Sequence, residues 1–293
     1  MQKISQKSIY QQPVALLRAA LNAFVGNPVI LYPFLVTAFI QLLALEILYF
    51  APRFPLVLFF GPIIKRVWGE IFLHYPTNFL LLPKLFYYVQ LLISIFIGSF
   101  LTAVAIYLIE AVNSDKKTNF GLAAKELLPR YAYIFIASLF SLGLFALLAI
   151  SYGKLTTLLI YTKSQSESIL FLKKIVFLSE PYVGLLLGIL ATVAFAFLVP
   201  VVVLERKGIR KALKANFEKL RKSFGFIFIV VLLPTLLYVP VFLLRNNVFS
   251  FPNTIVPSLH LFVIVFSVMA AVFIDATVFT AITTYYLLKR EEE

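Results

Sequence analysis

The sequence contains no cysteine and only two histidines, His74 and His260, among its 293 residues. That excludes disulfides, thiolate nucleophiles, iron–sulfur clusters and thiolate zinc sites, and two imidazoles fall short of the three or four convergent ligands a zinc site uses. Charged residues are also scarce, at 13%, roughly half the share of a soluble domain. Acidic residues are the rarer sign, 13 Asp and Glu against 26 Lys and Arg. The patterns H-E-x-x-H, G-x-x-x-x-G-K-[ST] and G-x-G-x-x-G are missing, so nothing points to a zinc peptidase, a P-loop or a dinucleotide site. No cofactor and no metal are expected.

What is present is apolar. Hydrophobic residues make up 61% of the chain, with 31 Phe, and mean hydropathy is +0.96. These values describe an integral membrane protein. A span needs about 20 mostly apolar residues to cross the hydrocarbon, and six stretches qualify: 28–51, 83–111, 131–152, 181–204, 224–244 and 258–288. The apolar "LTTLLIYT" after Lys154 either extends the third or lies on the surface. Polar Gln11, Gln12, Arg18 and Asn22 precede the first run, which argues against a cleaved signal peptide.

Sidedness follows from Lys and Arg, which accumulate in short cytoplasmic loops. Seventeen of the 26 fall at the N-terminus, in the connections 112–130 and 205–223, and at the C-terminus; nine fall in the opposite loops. Both termini are therefore predicted to be cytoplasmic.

An amphipathic helix precedes every second span. Leu17, Leu21 and Phe24 share one predicted helix face, Phe120, Ala124, Leu127 or Leu128 and Tyr131 another, and Ile209, Leu213, Phe217, Leu220 and Phe224 a third. Leu17-Arg18, Ala124-Lys125 and Leu213-Lys214 occupy corresponding places. The exits "FLTAVAIYLIE", ending at Glu110, and "VFTAITTYYLLK", ending at Lys289, share Thr-Ala and Tyr in register. The predicted fold is thus an all-α polytopic membrane protein, one domain over 1–293, with six transmembrane helices in three parallel repeats of about 8–111, 118–204 and 205–290. Parallel repeats occur in transporters, although inverted ones are common there. An outer interfacial insertion, 52–82, interrupts the first repeat; Pro62 starts a short predicted helix, and Trp68, Tyr75, Tyr87 and Tyr88 suit a headgroup belt.

The third amphipathic helix carries Arg206, Lys207, Arg210, Lys211, Lys214, Lys219, Arg221 and Lys222. Beside a span, such a helix is expected to lie on the anionic leaflet, each cation contributing about 1 kcal/mol. Membrane lipids are the expected partners, and nucleic acid is not, because no recognition motif accompanies the charge.

"VLERKGIRKALKANFEKLRKSFGF", "LLRAALNAFVGNPVILYP" and "TYYLLKREE" resemble the membrane domain attached to some bacterial glycerophosphodiester phosphodiesterases and its stand-alone relatives. The resemblance covers most of the chain, and the phosphodiesterase domain itself is missing. It implies a six-helix protein of the bacterial inner membrane and carries over no catalysis.

Few ionisable residues fall within the spans, where charge is expensive. Asp275 lies near mid-span, and Glu46 lies near the outer end of the first. Asp275 is read either as a packing group facing the bundle or as a proton, ion or ligand site; Glu46 is read as snorkelling, pairing with an outer-loop Arg or joining an outer-side pocket, with a structural pair favoured. Glu110 and Glu205 close the second and fourth spans and are expected to anchor the basic helix, Glu205 through Arg206 or Arg210. Gly184 and Gly188, and the row Ser94, Gly98, Thr102, predict close helix approach. Glu70 and His74 make only a fragment of a metal site. Two functions remain in contention: a non-catalytic envelope protein organising lipid or partner proteins, and a transporter or channel for a small solute, ion or lipid using Asp275. An outer-face lipid enzyme stands behind both.

Overall fold

The computed structural model describes residues 12–75, 77–114, 116, 118–161, 166–248 and 258–292, and among them there is no strand. Helix α1 (Pro13–Gly26) leads through a 3-10 turn (Pro28–Leu31) into α2 (Tyr32–Phe50). Helix α3 (Val57–Val67) and a 3-10 turn (Glu70–Leu73) form the insertion; α4 (Asn78–Ile93), a π segment (Ser94–Gly98) and α5 (Ser99–Asn113) follow as one rod. Then come α6 (Phe120–Leu127), a 3-10 turn (Leu128–Arg130), α7 (Tyr131–Tyr161), α8 (Glu167–Ala194), α9 (Leu198–Leu204), α10 (Ile209–Leu236), α11 (Val239–Val248) and α12 (Ser258–Glu292).

Among the described residues, five segments are long and apolar enough to cross a membrane: Pro28–Phe50, Asn78–Asn113, Phe120–Tyr161, Tyr182–Leu204 and Leu261–Glu291. The protein is thus helical and suited to a bilayer. The stretch 224–244 is not a single rod, because α10 stops at Leu236 and α11 begins at Val239. Pro240 has no N–H to continue the ladder and its ring crowds the preceding turn. Beyond Lys154, by contrast, α7 continues unbroken to Tyr161, with Thr156 and Thr157 donating to the Gly153 carbonyl at 2.9 and 2.7 Å. In the insertion, α3 begins at Val57 and contains Pro62 rather than starting there.

Two apolar cores hold the helices. One joins α2, α4, α5 and α12 through residues such as Phe34, Phe86, Ile109 and Val268. The other joins α1, α5, α6, α7, α8, α9, α10 and α12 through residues such as Leu16, Val104, Ile134, Val193, Val201, Ile227 and Ile282.

The three amphipathic helices bury part of each predicted stripe and add neighbouring small residues to it. Phe24, Leu127 and Leu220 are buried as predicted and Leu17, Ile209 and Leu213 pack partly against the core, whereas Leu21, Phe217 and Phe224 stay exposed and Leu16, Ala20, Ala123 and Ala212 are buried beside them. Lipid is as apolar as a core, so large side chains need not turn inward, and small ones let backbones approach closely. The buried positions share a register: Leu16, Ala123 and Ala212 each precede the corresponding apolar–basic pair by one residue, and Ala20, Leu127 and Asn216 lie four further on. All six are at most 2% exposed.

The basic helix is therefore the foot of α10, continuous with the apolar part as far as Leu236. Asn216 on this foot fills a gap between α8 and α9. Its amide donates to the Ala194 carbonyl at 2.8 Å and its carbonyl accepts from the Phe197 N–H at 3.0 Å, supplying two backbone groups that the helix break releases.

Candidate functional site

A half-open cavity of about 520 Å³ lies among α2, α4, α5, α7, α8, α10 and α12, a volume suited to a small molecule rather than a single water. Its first wall is a hydrogen-bonded chain: Gln90 donates to Gln41 at 3.2 Å, and Gln41 donates to Ser94 at 3.3 Å. Thr37, Ser99 and Thr102 extend that wall, while Ser138, Ser141, Thr192 and Thr235 line the other side. Asp275 is the sole ionisable residue among the described residues around it. Its side chain is exposed into this space, and it makes no hydrogen bond or ion pair with another described residue. Gly98, Gly188 and Ala191 keep the walls thin.

Irregular backbone borders the same cavity. The π segment inserts extra chain into the α4–α5 rod, and Tyr131 donates its hydroxyl to the Phe96 carbonyl of that segment at 2.9 Å. Phe195 and Ala196, in the break between α8 and α9, form part of the opposite wall. Non-helical backbone at membrane depth is tolerated where protein buries it or where it lines a cavity. Broken spans beside a midplane site also recur in transporters.

A second cavity, about 560 Å³ and mostly apolar, adjoins the first. Gly184, Gly188 and Ile189 of α8 face Val231, Tyr238 and Phe242 across it, and Asp275, Thr192 and Thr235 border both cavities. This revises the close-approach reading of the Gly184–Gly188 pair. A Cβ on Gly184 would meet nothing within 4 Å, and one on Gly188 only the Phe145 ring at 3.9 Å. The pair shapes a cavity wall.

Toward the end that carries α1 and the C-terminus of α12, aromatic rings close the bundle. Phe226 stacks on Tyr285 with centroids 4.7 Å apart, and Phe197 lies 6.2 and 5.9 Å from Tyr285 and Tyr286. Tyr286 is fully buried and donates its hydroxyl to Glu205. Glu205 also pairs with Lys207 at 2.5 Å, and the Lys219 ammonium stands 5.2 Å from the Tyr286 ring centroid. Partial burial pushes the Glu205 carboxyl up, but hydrogen bonds from Lys207 and Tyr286, with the charges of Lys207 and Lys219, outweigh it and hold the group below its ordinary value. Glu110 meets Arg290 at 3.3 Å. Both span-closing glutamates thus grip α12, and the expected partners of Glu205 are engaged differently or point away: Arg206 pairs with Glu126, and Arg210 is exposed. Arg130 completes this end by donating to the carbonyls of Val202 and Arg206 at 3.1 and 2.7 Å.

The other candidates stand apart from the cavity. Glu46 is exposed on α2, and the Arg nearest in sequence, Arg53, donates to Tyr49 and lies over the Tyr49 and Phe50 rings. Glu70 pairs with Lys65 at 2.7 Å, whose hydrogen bond and charge lower its carboxyl; no metal-binding group of residues occurs among the described residues. On the foot of α10, Lys211, Lys214, Arg221 and Lys222 are exposed and Lys219 is half-buried. His260 lies in α12, outside the described side chains.

The chain matches no family model, no curated protein and no solved structure. What the cavity can do follows from its own chemistry: a single carboxyl, a ring of hydroxyls and amides, and an apolar annex. The sequence signals Asp275 by its charge. It hides Gln41, Gln90, Ser138, Thr192 and Asn216, whose one legible trait is an uncharged polar group within or beside an apolar run.

Proposed function

We propose that this protein is a multi-pass protein of the bacterial cytoplasmic membrane that binds a small membrane-accessible molecule in the first cavity and passes it across or along the bilayer. The observation that carries the reading is Asp275, exposed into a cavity of about 520 Å³ without a partner among the described residues. A carboxyl at mid-span is a functional site by default, and irregular backbone on two walls strengthens that inference. The proposed activity is binding and passage without bond chemistry.

The architecture proposed with it has six crossings, the fifth formed by the apolar part of α10 together with α11. It has three parallel repeats, supported by the shared buried register of Leu16, Ala123 and Ala212. Both termini are proposed to be cytoplasmic, from the excess of Lys and Arg at their end of the chain. The resemblance to phosphodiesterase-associated membrane domains supports the same membrane and adds no activity.

The chain lacks cysteine, so single cysteines report accessibility cleanly. Ser138→Cys and Thr235→Cys, in membranes, should react with a small membrane-impermeant maleimide and lose that reaction when Asp275 is covered by a bound ligand. If both remain unreactive while an exposed Glu70→Cys control labels, a dry cavity is established and the reading fails.

A second reading rests on the exposed Lys211, Lys214, Arg221 and Lys222 with exposed Phe217 and Phe224 among them. Such a band suits anionic lipid at the membrane surface, and the protein then organises lipid or partner proteins around itself. Neutralising Lys211, Lys214 and Lys222 should reduce co-purified anionic lipid; unchanged lipid content refutes it.

A further inference from the structure

The two cavities differ in chemistry and meet at one carboxyl. Polar groups line both sides of the first cavity, Gln41 and Gln90 on one and Ser138, Ser141 and Thr235 on the other, with Asp275 among them. The second is walled mostly by apolar groups, Gly184, Leu185, Ile189, Val231 and Phe242 among them, with hydroxyls from Thr192, Thr235 and Tyr238. A ligand filling both must carry a polar head and an apolar body.

Charge then selects the head. No Lys, Arg or His borders either cavity among the described residues, and Asp275 borders both. An anion such as a phosphate or sulfate group would enter low dielectric beside an acidic group with no cation to pair it, and an unpaired charge there is costly. A cation would pair with Asp275 and direct its remaining donors to the surrounding hydroxyl and amide oxygens. The apolar body would follow the channel that Gly184 and Gly188 leave open beside α8.

We propose that the ligand is an amphipathic monocation of the alkylammonium type, its cationic head paired with Asp275 and its hydrocarbon body in the apolar cavity between α8 and the α10–α11 bend. This assignment rests on the cavity reading above and narrows it to a substrate class. Anionic amphiphiles of equal length are excluded by the same charge argument, and neutral ones forgo the ion pair with Asp275.

The test uses the full chain in lipid nanodiscs and radiolabelled octylammonium, with displacement by unlabelled octylammonium, ethylammonium, octanol and octyl sulfate. Octylammonium should displace the label, octanol and octyl sulfate should fail to, and ethylammonium should compete weakly. Asp275→Asn, which keeps shape and removes charge, should weaken displaceable binding at least about tenfold. Gly184→Phe should weaken octylammonium and spare ethylammonium, because it fills the apolar cavity alone. Equal displacement by octyl sulfate or octanol overturns the proposal, as does wild-type affinity in Asp275→Asn; the competitor series on wild-type protein decides the matter even if a variant does not fold. Charge-indifferent binding with maleimide-reactive Ser138→Cys sinks the cation assignment alone. An unreactive Ser138→Cys and Thr235→Cys pair sinks the cavity reading with it.

Discussion

Tyr286 donates its hydroxyl to Glu205, tying the last buried turn of α12 to the residue that closes α9. The contact sits beneath the aromatic cluster that separates the first cavity from the basic end of the bundle. Since Tyr286 is fully buried, its hydroxyl has no water to fall back on. Tyr286→Phe should cost about 1.5–3 kcal/mol, the range for a hydrogen bond to a charged group, measured as a lowered thermal midpoint. Glu205 remains paired to Lys207 in that variant, which separates the tyrosine's contribution from the ion pair. A midpoint equal to wild type would show that the hydroxyl contributes nothing.

Glu205 also makes stability depend on pH. Its carboxyl is held below the ordinary 4.5 in the folded protein. A carboxyl lowered on folding contributes stability above its unfolded value, and that contribution disappears as pH falls through the folded value. The midpoints of wild type and Glu205→Gln should therefore differ most near neutrality and converge as pH drops below 4.5. A difference that stays constant across that range refutes the linkage.

Asn216 is the clearest case of a residue whose role could not be read from charge. It interrupts "KALKANFEKL" with a poor helix former on what becomes a fully buried face, and it serves the Ala194 carbonyl and the Phe197 N–H together. Asn216→Leu keeps volume and strands both backbone groups, at an expected cost on the order of 1–3 kcal/mol for each. Asn22→Ala, at an exposed position of α1, should be nearly silent in the same melting assay. Comparable losses in the two variants would count against the bridging role.

The helices and their apolar spans were legible because hydropathy is a property summed over some 20 residues, and tertiary contacts scarcely alter the sum. Which face turns inward was legible only in part, at Phe24, Leu127 and Leu220, since lipid accepts Phe217 and Phe224 as readily as a core does. The break between α10 and α11 is announced by Pro240, yet nothing local tells a kink from a stop. Asp275 stood out as a lone charge, whereas the Gln41–Gln90–Ser94 chain needed α2 to be brought against the α4–α5 rod.

Arg130 should matter more than the ion pair beside it. Its guanidinium spans the Val202 and Arg206 carbonyls, where Arg206 takes a positive φ of 53° at the end of α9. Arg130→Lys supplies the charge without the two-pronged geometry and should rescue little of the loss in Arg130→Ala. Glu126→Gln, which touches the largely exposed pair with Arg206, should cost about 0–1 kcal/mol. Full rescue by lysine would make charge, not the fork, the relevant property.

Gly184 separates two readings of one motif by the sign of a single substitution. In a close helix crossing, a methyl group at a G-x-x-x-G position forces the backbones apart and destabilises. On a cavity wall, the same methyl meets nothing, and alanine's better helix propensity is worth roughly 0.5–1 kcal/mol. With no atom within 4 Å of a Cβ at Gly184, Gly184→Ala should raise the thermal midpoint. Gly61→Ala supplies the contrast, because its Cβ would press on Val57 Cγ2 at 3.1 Å, and it should lack that gain. A lowered midpoint in Gly184→Ala would mean that another helix does pack there, and the apolar cavity beside Asp275 would close with it.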